Sequence, residues 1–298
     1  MLKLRSLQLV ILILLNGFPI FAEEDRSFEI VTSFTILENL VSELGGSRVS
    51  VTNLVPRNSD AHIYSPKPSD SIAISNADLV IFNGLGFEGW IFRLIKDSDK
   101  ENNYLIASDG INLLYQSNEI DPHAWQSFKN IRIYIDNISG ELINLMPEHE
   151  KYFVLRRDDY LKKLSELEIN LNNQLRHIPI HKRIVITSHD AFGYLGREFN
   201  IQFLAPLGLS LDAEASAEDV ADIINQIKEK KVTALFLENI NNPKLLKAIS
   251  LESGIPIGGV LYSDSLSKID GPAGTYLEMM RHNVKSLIEA FNSQKNYK

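Results

Sequence analysis

The chain has 298 residues, is 44% hydrophobic and 23% charged, and carries a formal net charge of −8. This length predicts two domains, and the acidic charge argues against binding to nucleic acid or anionic lipid. The sequence contains no cysteine, which excludes disulfides and thiolate metal sites. Any metal must therefore be bound through nitrogen and oxygen. A lipid-modified N-terminal cysteine is likewise not expected.

The first 22 residues have the pattern of a secretory signal peptide. Lys3 and Arg5 give a basic start, residues 9–15 are apolar, and Ala22 precedes an acidic stretch. The apolar run is shorter than the roughly 20 residues that span a bilayer. We therefore expect cleavage after residue 22 and a location in a Gram-negative periplasm. The alternative is an uncleaved anchor, since Ile20 is a poor residue three places before the cut.

The rest of the chain alternates between short β-rich runs and helical stretches. Such alternation predicts an α/β protein with parallel sheets flanked by helices. The predicted strands are 29–33, 49–55, 79–83 and 104–107 in the first half, and 184–187, 202–205, 234–238 and 256–261 in the second. The predicted helices are 36–44, 69–76, 190–199, 217–230, 243–253 and 274–293.

One long polar helix is predicted between the two series, from Pro147, a favourable first-turn residue, to about His177. Apolar residues recur along it at three- and four-residue steps: Tyr160, Leu164, Leu167, Leu171 and Leu175. A helix of about thirty residues is about 45 Å long, enough to join two lobes. The predicted organisation is a signal peptide (1–22), an N-terminal lobe (23–146), a connecting helix (147–178) and a C-terminal lobe (179–298). An ordinary domain linker is the alternative for the helix.

Four side chains follow predicted strands: His62, His123, His189 and Asp264. In parallel α/β sheets, ligands bind outside the carboxyl ends of the strands, and two candidates fall in each half. Three imidazoles and one carboxylate suit Zn²⁺, and a carboxylate binding through both oxygens also allows Mn²⁺. Four protein ligands leave no open position, so such a site holds a metal and does not catalyse.

Each of these residues has an alternative role when it is considered alone. A single histidine after a strand is more often a hydrogen-bonded loop residue, and Asp264 has the composition of a helix N-cap. Asp190 suits the first turn of a helix, and Glu238 suits a residue beside the site, a cap or a bridge between lobes. The remaining histidines are expected to be solvated: His149, His177, His181 and His282.

The motifs around the four candidates resemble those of the zinc and manganese solute-binding proteins of ABC importers, the TroA-like class of periplasmic binding proteins. The order and spacing agree over nearly all of residues 28–293. The matching segments are residues 60–70, 121–125 and 189–195, and residues 262–266 followed by 274–280.

The resemblance implies two lobes joined by one rigid helix, with one Zn²⁺ or Mn²⁺ bound by His62, His123, His189 and Asp264. It also implies delivery of the metal to an inner-membrane permease driven by a cytoplasmic ATPase, by a protein that acts as a monomer and has no organic cofactor. This sequence departs from the family pattern at Ala61, where proline is usual, at residues 126–128, where Asp-Pro is usual, and at Asn200, where glycine is usual.

Two other functions are compatible with the composition. A zinc-dependent hydrolase would need an open coordination position and a base such as Glu238 or Asp190, but the chain lacks His-Glu-x-x-His, Gly-x-Ser-x-Gly and a phosphate loop. An adhesin on the same scaffold is the other. We expect a protein that is not an enzyme. The choice between zinc and manganese stays open, although zinc should bind more tightly by the usual affinity order.

Overall fold

The computed structural model describes residues 27–293 except 117 and 211–214, so the predicted signal peptide lies outside the described residues. The first half contains β1 (Phe28–Thr32), α1 (Thr35–Gly45), β2 (Val49–Asn53), α2 (Pro68–Asn76), β3 (Leu79–Phe82), α3 (Ile91–Asp97), β4 (Tyr104–Ile106), β5 (Tyr115–Gln116), β6 (Glu119–Ile120) and α4 (Phe128–Leu145). The second half contains α5 (Glu150–Leu175), β7 (Ile184–Ile186), α6 (Gly193–Phe199), β8 (Gln202–Leu204), α7 (Ala217–Glu229), β9 (Ala234–Glu238), α8 (Lys244–Ser253), β10 (Ile257–Leu261) and α9 (Tyr276–Ser293).

The strands form two four-stranded parallel sheets, in the orders β2-β1-β3-β4 and β10-β9-β7-β8. All four residues of the interior strand β3 are buried, as expected of a parallel strand covered on both faces. The pair β5–β6 is a separate antiparallel hairpin. The predicted α/β fold class, with two lobes joined by a long helix, is confirmed.

The connecting helix α5 buries the predicted apolar stripe, since Tyr160, Leu164, Leu167, Leu171 and Leu175 are all buried. This helix packs against α1, α4 and α9, and its 26 residues span about 39 Å. A 3₁₀ turn at Pro147–His149 precedes it, so the α-helix begins three residues later than predicted. The exact lobe boundaries at residues 146 and 179 stay a prediction.

A second long helix, α4, was not predicted from the sequence. Its 18 residues begin after Ser127, whose side chain accepts hydrogen bonds from the backbone N–H groups of Lys129 and Asn130 and so caps the helix. At the end of α6, Asn200 adopts the left-handed conformation with φ 52°. Asparagine therefore fills this C-terminal position in place of the usual glycine.

One continuous apolar core extends through both sheets, and it includes residues as distant in sequence as Ile30, Leu171 and Phe236. A smaller cluster lies between the second sheet and α7 and α8, with Ile223 and Leu246 among its members. Among the described residues, no helix has the length and apolar character needed to cross a membrane.

Candidate metal centre

The loop between β2 and α2 carries His62. The backbone N–H of His62 donates to Asp60 Oδ1 at 2.7 Å, and Trp90 Nε1 donates to the carbonyl oxygen of Ala61 at 2.9 Å. Ala61 is fully buried and stands where the resembled family usually has proline. Both polar groups of the Ala61–His62 peptide are therefore hydrogen-bonded, which restrains the loop without a proline ring.

A carboxylate orients the ring of His123, which follows the β5–β6 hairpin. Asp121 Oδ1 accepts from the backbone N–H of His123 at 2.9 Å and lies 2.8 Å from its Nδ1. The other oxygen, Oδ2, accepts from Gln116 Nε2 at 3.0 Å. A proton on Nδ1 leaves the Nε2 lone pair of His123 free for a metal.

His189 has a corresponding partner in Glu238, at the end of β9. Glu238 Oε1 accepts from the backbone N–H groups of Ser188 at 2.7 Å and His189 at 3.1 Å, and Oε2 lies 2.6 Å from His189 Nδ1. The ring N–H is not aligned as in an ideal hydrogen bond. Two such atoms approach this closely only with a proton between them, so we regard the contact as charge-assisted. Glu238 thus orients His189, as one of the roles predicted for it requires.

Asp264 lies in the long segment between β10 and α9. Both of its carboxylate oxygens are buried and accept no hydrogen bond from any group other than the imidazoles that face them. Asp264 caps no helix, because the next one begins at Tyr276. A buried carboxylate without donors is costly unless a cation neutralises it. This side chain therefore provides two oxygens suited to bind a positive ion.

The four predicted residues converge between the two sheets, and their potential ligand atoms all lie within 4.8 Å of one another. His62 Nε2 lies 3.2 Å from His123 Nε2, and the distances to the nearest Asp264 oxygen are 3.2 Å from His189 Nε2, 3.6 Å from His123 Nε2 and 3.9 Å from His62 Nε2. A tetrahedral ion with bonds of about 2.0–2.1 Å needs ligand atoms about 3.3–3.4 Å apart. The cluster is close to that spacing.

Charges within the cluster shift the proton affinities of its members. Burial lowers the pKa of His62 to about 3. Burial would also lower the pKa of His189, but the carboxylates of Glu238 and Asp264 outweigh it and raise this pKa well above its ordinary value. Burial would raise the pKa of Asp264, yet the surrounding imidazoles hold it well below its usual range. These carboxylates therefore favour the charged form of the His189 ring.

An aromatic wall covers the cluster on the side of the first sheet. The ring of Phe87 contacts His62 edge-on with centroids 4.4 Å apart, and Trp125 contacts His123 at 5.4 Å. Phe87 and Trp125 also pack against each other. These rings exclude water from one side of the site and limit rotation of the two imidazoles.

Glu88, next to this wall, is buried and was not identified from the sequence. Its carboxylate accepts hydrogen bonds from Ser33 Oγ at 2.6 Å and from the backbone N–H groups of Asn83 at 2.8 Å and Gly84 at 3.2 Å. Burial raises its pKa to about 7. The hydrogen bonds to the Glu88 carboxylate fix the turn that carries Phe87.

The other histidines lie outside the cluster that the described residues form. His177 and His181 are exposed, as predicted, whereas His149 and His282 are half-buried. His282 instead contacts the carbonyl oxygen of Val260. Asp121 was overlooked as an orienting group, although the signal was present: an acid two residues before a candidate histidine.

The chain is similar to several metal-binding proteins. The family described as "Zinc-uptake complex component A periplasmic" matches residues 30–290. The manganese-binding lipoprotein MntA of Halalkalibacterium halodurans is 32% identical over 273 residues, 91% of each chain. The iron-binding protein YfeA of Yersinia pestis is 30% identical over 271 residues, which cover 89% of this chain and 87% of YfeA.

Two solved structures show the same architecture. The periplasmic zinc-binding protein TroA from Treponema pallidum has a TM-score of 0.85 and 26% identity, covering 89% of this chain and 99% of TroA. The manganese-bound periplasmic metal-binding protein from Candidatus Liberibacter asiaticus has a TM-score of 0.80 and 31% identity, covering 89% of this chain and all of that one.

Proposed function

Because the chain belongs to the zinc-uptake complex component A periplasmic family, we propose that it captures one divalent transition-metal ion and delivers it to an ABC permease for import. The proposed ligands are His62, His123, His189 and Asp264. The observation that carries the assignment is the Asp264 carboxylate, whose two buried oxygens face three imidazoles and accept no hydrogen bond from any other group.

The donor set suits Zn²⁺ or Mn²⁺. Three imidazole nitrogens and one carboxylate match the usual ligands of zinc, and binding through both carboxylate oxygens would give manganese a fifth position. Relatives are named for manganese and for iron, and a structural neighbour for zinc. By the usual affinity order zinc should bind more tightly than manganese.

The site favours binding and transport of the metal over catalysis. Four protein ligands fill a tetrahedral shell and leave no position for a reactive water. Glu238 was one candidate base for a hydrolase, but its oxygens already accept from two backbone N–H groups and contact the His189 ring. We assign the chain as the metal-binding partner of a permease and its ATPase, acting as a monomer, which sedimentation of the purified protein checks.

Two lobes, residues 23–146 and 179–298, would enclose the ion on either side of the connecting helix (147–178).

The proposed location is a Gram-negative periplasm. This is supported by the basic start and short apolar run of the leader and by the lack of cysteine, the residue that carries the lipid of a lipoprotein. Release of a protein beginning at Glu23 by osmotic shock of the source cells would support the assignment.

Calorimetric titration of the metal-stripped mature protein with Zn²⁺ and Mn²⁺ tests the function directly. We expect one-to-one binding of both ions, tighter for Zn²⁺. His189→Ala should clearly weaken binding, because it removes one of four ligands. His181→Ala, which removes an exposed histidine outside the cluster, is the matched control and should bind like the parent. No binding of either ion by the parent would overturn the proposal.

Metal binding is expected to release about one proton near neutral pH. The raised pKa of His189 keeps its ring charged below that pKa, and Nε2 must lose a proton before it can bind the ion. Affinity should therefore fall about tenfold per unit as pH decreases from 7 to 6. Zinc titrations in two buffers of different ionisation enthalpy count the protons. Identical heats in both buffers would contradict the expectation, and His189→Ala should abolish the release.

A further inference from the structure

The segment around Asp264 belongs to the C-terminal lobe by sequence but is hydrogen-bonded mainly to the N-terminal lobe. Immediately before Asp264, the carbonyl oxygen of Ser263 accepts from Trp125 Nε1 at 2.8 Å and from Gln126 Nε2 at 2.7 Å. Both donors lie in the turn that follows His123. The backbone on this side of Asp264 is thus attached directly to the segment that carries another proposed ligand.

The residues after Asp264 are attached in the same way. The backbone N–H of Leu266 donates to Thr35 Oγ1 at 2.8 Å, and Ser265 Oγ accepts from the backbone N–H of Asn58 at 2.8 Å. One residue further, the carbonyl oxygen of Ser267 accepts from Arg57 Nη1 at 2.7 Å. Asn58 and Arg57 lie in the loop that carries His62, so this loop and the Asp264 segment are held together.

The helix that follows the segment reinforces this attachment. At the start of α9, the backbone N–H of Tyr276 donates to Asn39 Oδ1 at 2.8 Å, and Tyr276 Oη donates to the carbonyl oxygen of Trp125 at 2.7 Å. The segment is also joined to the second sheet, because it continues β10. Asn239 Nδ2 donates to the carbonyl oxygen of Ser265 at 3.1 Å.

His189 is held by its own sheet. The backbone N–H of Thr187 donates to the carbonyl oxygen of Leu204 at 3.0 Å, and that of Asp190 donates to the carbonyl oxygen of Gly208 at 2.9 Å. The ring and backbone of His189 both contact Glu238 of β9. The backbone hydrogen bonds of residues 187–190 go to partners in the C-terminal lobe, whereas the side chain of Asp190 is hydrogen-bonded to Gln116 of β5.

Downstream of His189, helix α6 contacts the N-terminal lobe near both of its ends, through Tyr194 and through Glu198, which is hydrogen-bonded to Ser127. Tyr194 Oη accepts from the backbone N–H of Leu114 at 3.0 Å and donates to the carbonyl oxygen of Asp121 at 3.2 Å. These partners flank the short β5–β6 hairpin, in which Tyr115 and Ile120 are exposed. A short exposed hairpin deforms at lower cost than a buried sheet.

We propose that His62, His123 and Asp264 form a preassembled three-ligand frame, and that His189, with Glu238, is the ligand that joins on capture and leaves on release. This inference rests on the proposed function. It assigns Thr35 as a positioning residue, because its hydroxyl holds the Asp264 segment to α1 without contacting the ion. Release would require the loop that carries His189 and helix α6 to shift relative to the Asp264 segment, which stays with α9 and the first sheet.

Hydrogen–deuterium exchange of the mature protein, with and without Zn²⁺, tests the frame. Removing the metal should speed exchange of the amides of residues 187–191 at least about tenfold, because a ligand that dissociates frees its loop to open. The amides of Leu266 and Ser267 should exchange equally slowly in both states. The reverse pattern, equal changes in both segments, or no change in either while zinc is bound would overturn the frame.

Thr35→Val tests the positioning role with little change in side-chain volume. It leaves the N–H of Leu266 without its acceptor, and groups that orient metal ligands typically change affinity about 10- to 100-fold. We expect weaker Zn²⁺ binding, exchange at Leu266 that becomes metal-dependent, and an altered visible absorption spectrum of the Co²⁺-loaded protein. Thr233→Val removes another buried hydroxyl contact, to the carbonyl oxygen of Lys182 at 2.6 Å, and should change neither the affinity nor the spectrum.

These experiments distinguish a failure of the carrier function from a failure of the three-ligand frame. If the parent takes up no metal, the carrier function fails. If the parent binds metal and Thr35→Val, folded by circular dichroism, retains the parent's affinity and Co²⁺ spectrum, only the frame fails. If Thr233→Val weakens binding as much as Thr35→Val does, the effect is general destabilisation and the positioning role is rejected.

Discussion

Asp264→Asn is expected to weaken Zn²⁺ binding on the order of 1,000-fold. Asp264 is the one carboxylate among the four proposed ligands, and both of its oxygens are buried without hydrogen-bond donors from outside the cluster. Asparagine keeps the shape of the side chain, but it removes the negative charge and has an NH₂ group in place of one oxygen. Removing one partner of a buried charge pair typically costs about 3–5 kcal/mol, and each 1.4 kcal/mol is about tenfold in affinity.

Titration with Zn²⁺ in competition with a chromophoric chelator measures the loss. Asp109→Asn, the same substitution at an exposed position, should bind like the parent. Because Asp264 belongs to the proposed frame and His189 does not, Asp264→Asn should weaken binding more than His189→Ala. A loss of less than about tenfold for Asp264→Asn would show that this carboxylate does not bind the metal.

Glu238→Gln is expected to weaken Zn²⁺ binding about 100-fold, the upper end of the range for residues that orient ligands. Glu238 Oε1 accepts two backbone N–H groups, so the carbonyl oxygen of glutamine must take that place. Its NH₂ group then faces His189 Nδ1 and donates to it. The ring proton is forced onto Nε2, the atom that the metal needs.

Asp121→Asn provides the matched comparison, because the same chemical change has a different consequence there. A single oxygen, Asp121 Oδ1, contacts both the backbone N–H and Nδ1 of His123. The asparagine oxygen can keep both contacts and preserve the tautomer, while the NH₂ group faces Gln116, whose amide can rotate to accept. We expect a loss of about tenfold or less. Equal losses for the two variants would contradict the tautomer argument.

Both variants should be compared at a pH well above neutrality as well as at pH 7. At higher pH the charged form of His189 is depleted in the parent, so its affinity rises. In Glu238→Gln, the proton on Nε2 belongs to the neutral His189 ring, and a higher pH does not remove it. The deficit of Glu238→Gln relative to the parent should therefore widen as pH rises.

The alternation of strands and helices was predictable because its signals are local. Apolar runs such as residues 79–82, the stripe from Tyr160 to Leu175 and the turn residues between them depend on near neighbours. The ends of the predicted strands therefore all lie within two residues of the observed ends, although β5 and β6 were not predicted. Helix α4 was overlooked because it follows a ligand loop without a break, and its Ser127 cap reads as part of that loop.

The sequence by itself determined the α/β class, the two-lobe organisation and the four side chains that meet between the lobes. His62, His189 and Asp264 follow the ends of parallel strands, where such sheets bind ligands, whereas His123 follows the antiparallel β5–β6 hairpin. Tertiary structure alone decided which carboxylate orients which ring and to which lobe the Asp264 segment is attached. The physical reason is distance along the chain. Thr35 and Leu266 are 231 residues apart, and a hydrogen bond across that separation leaves no periodicity or local composition from which it can be predicted.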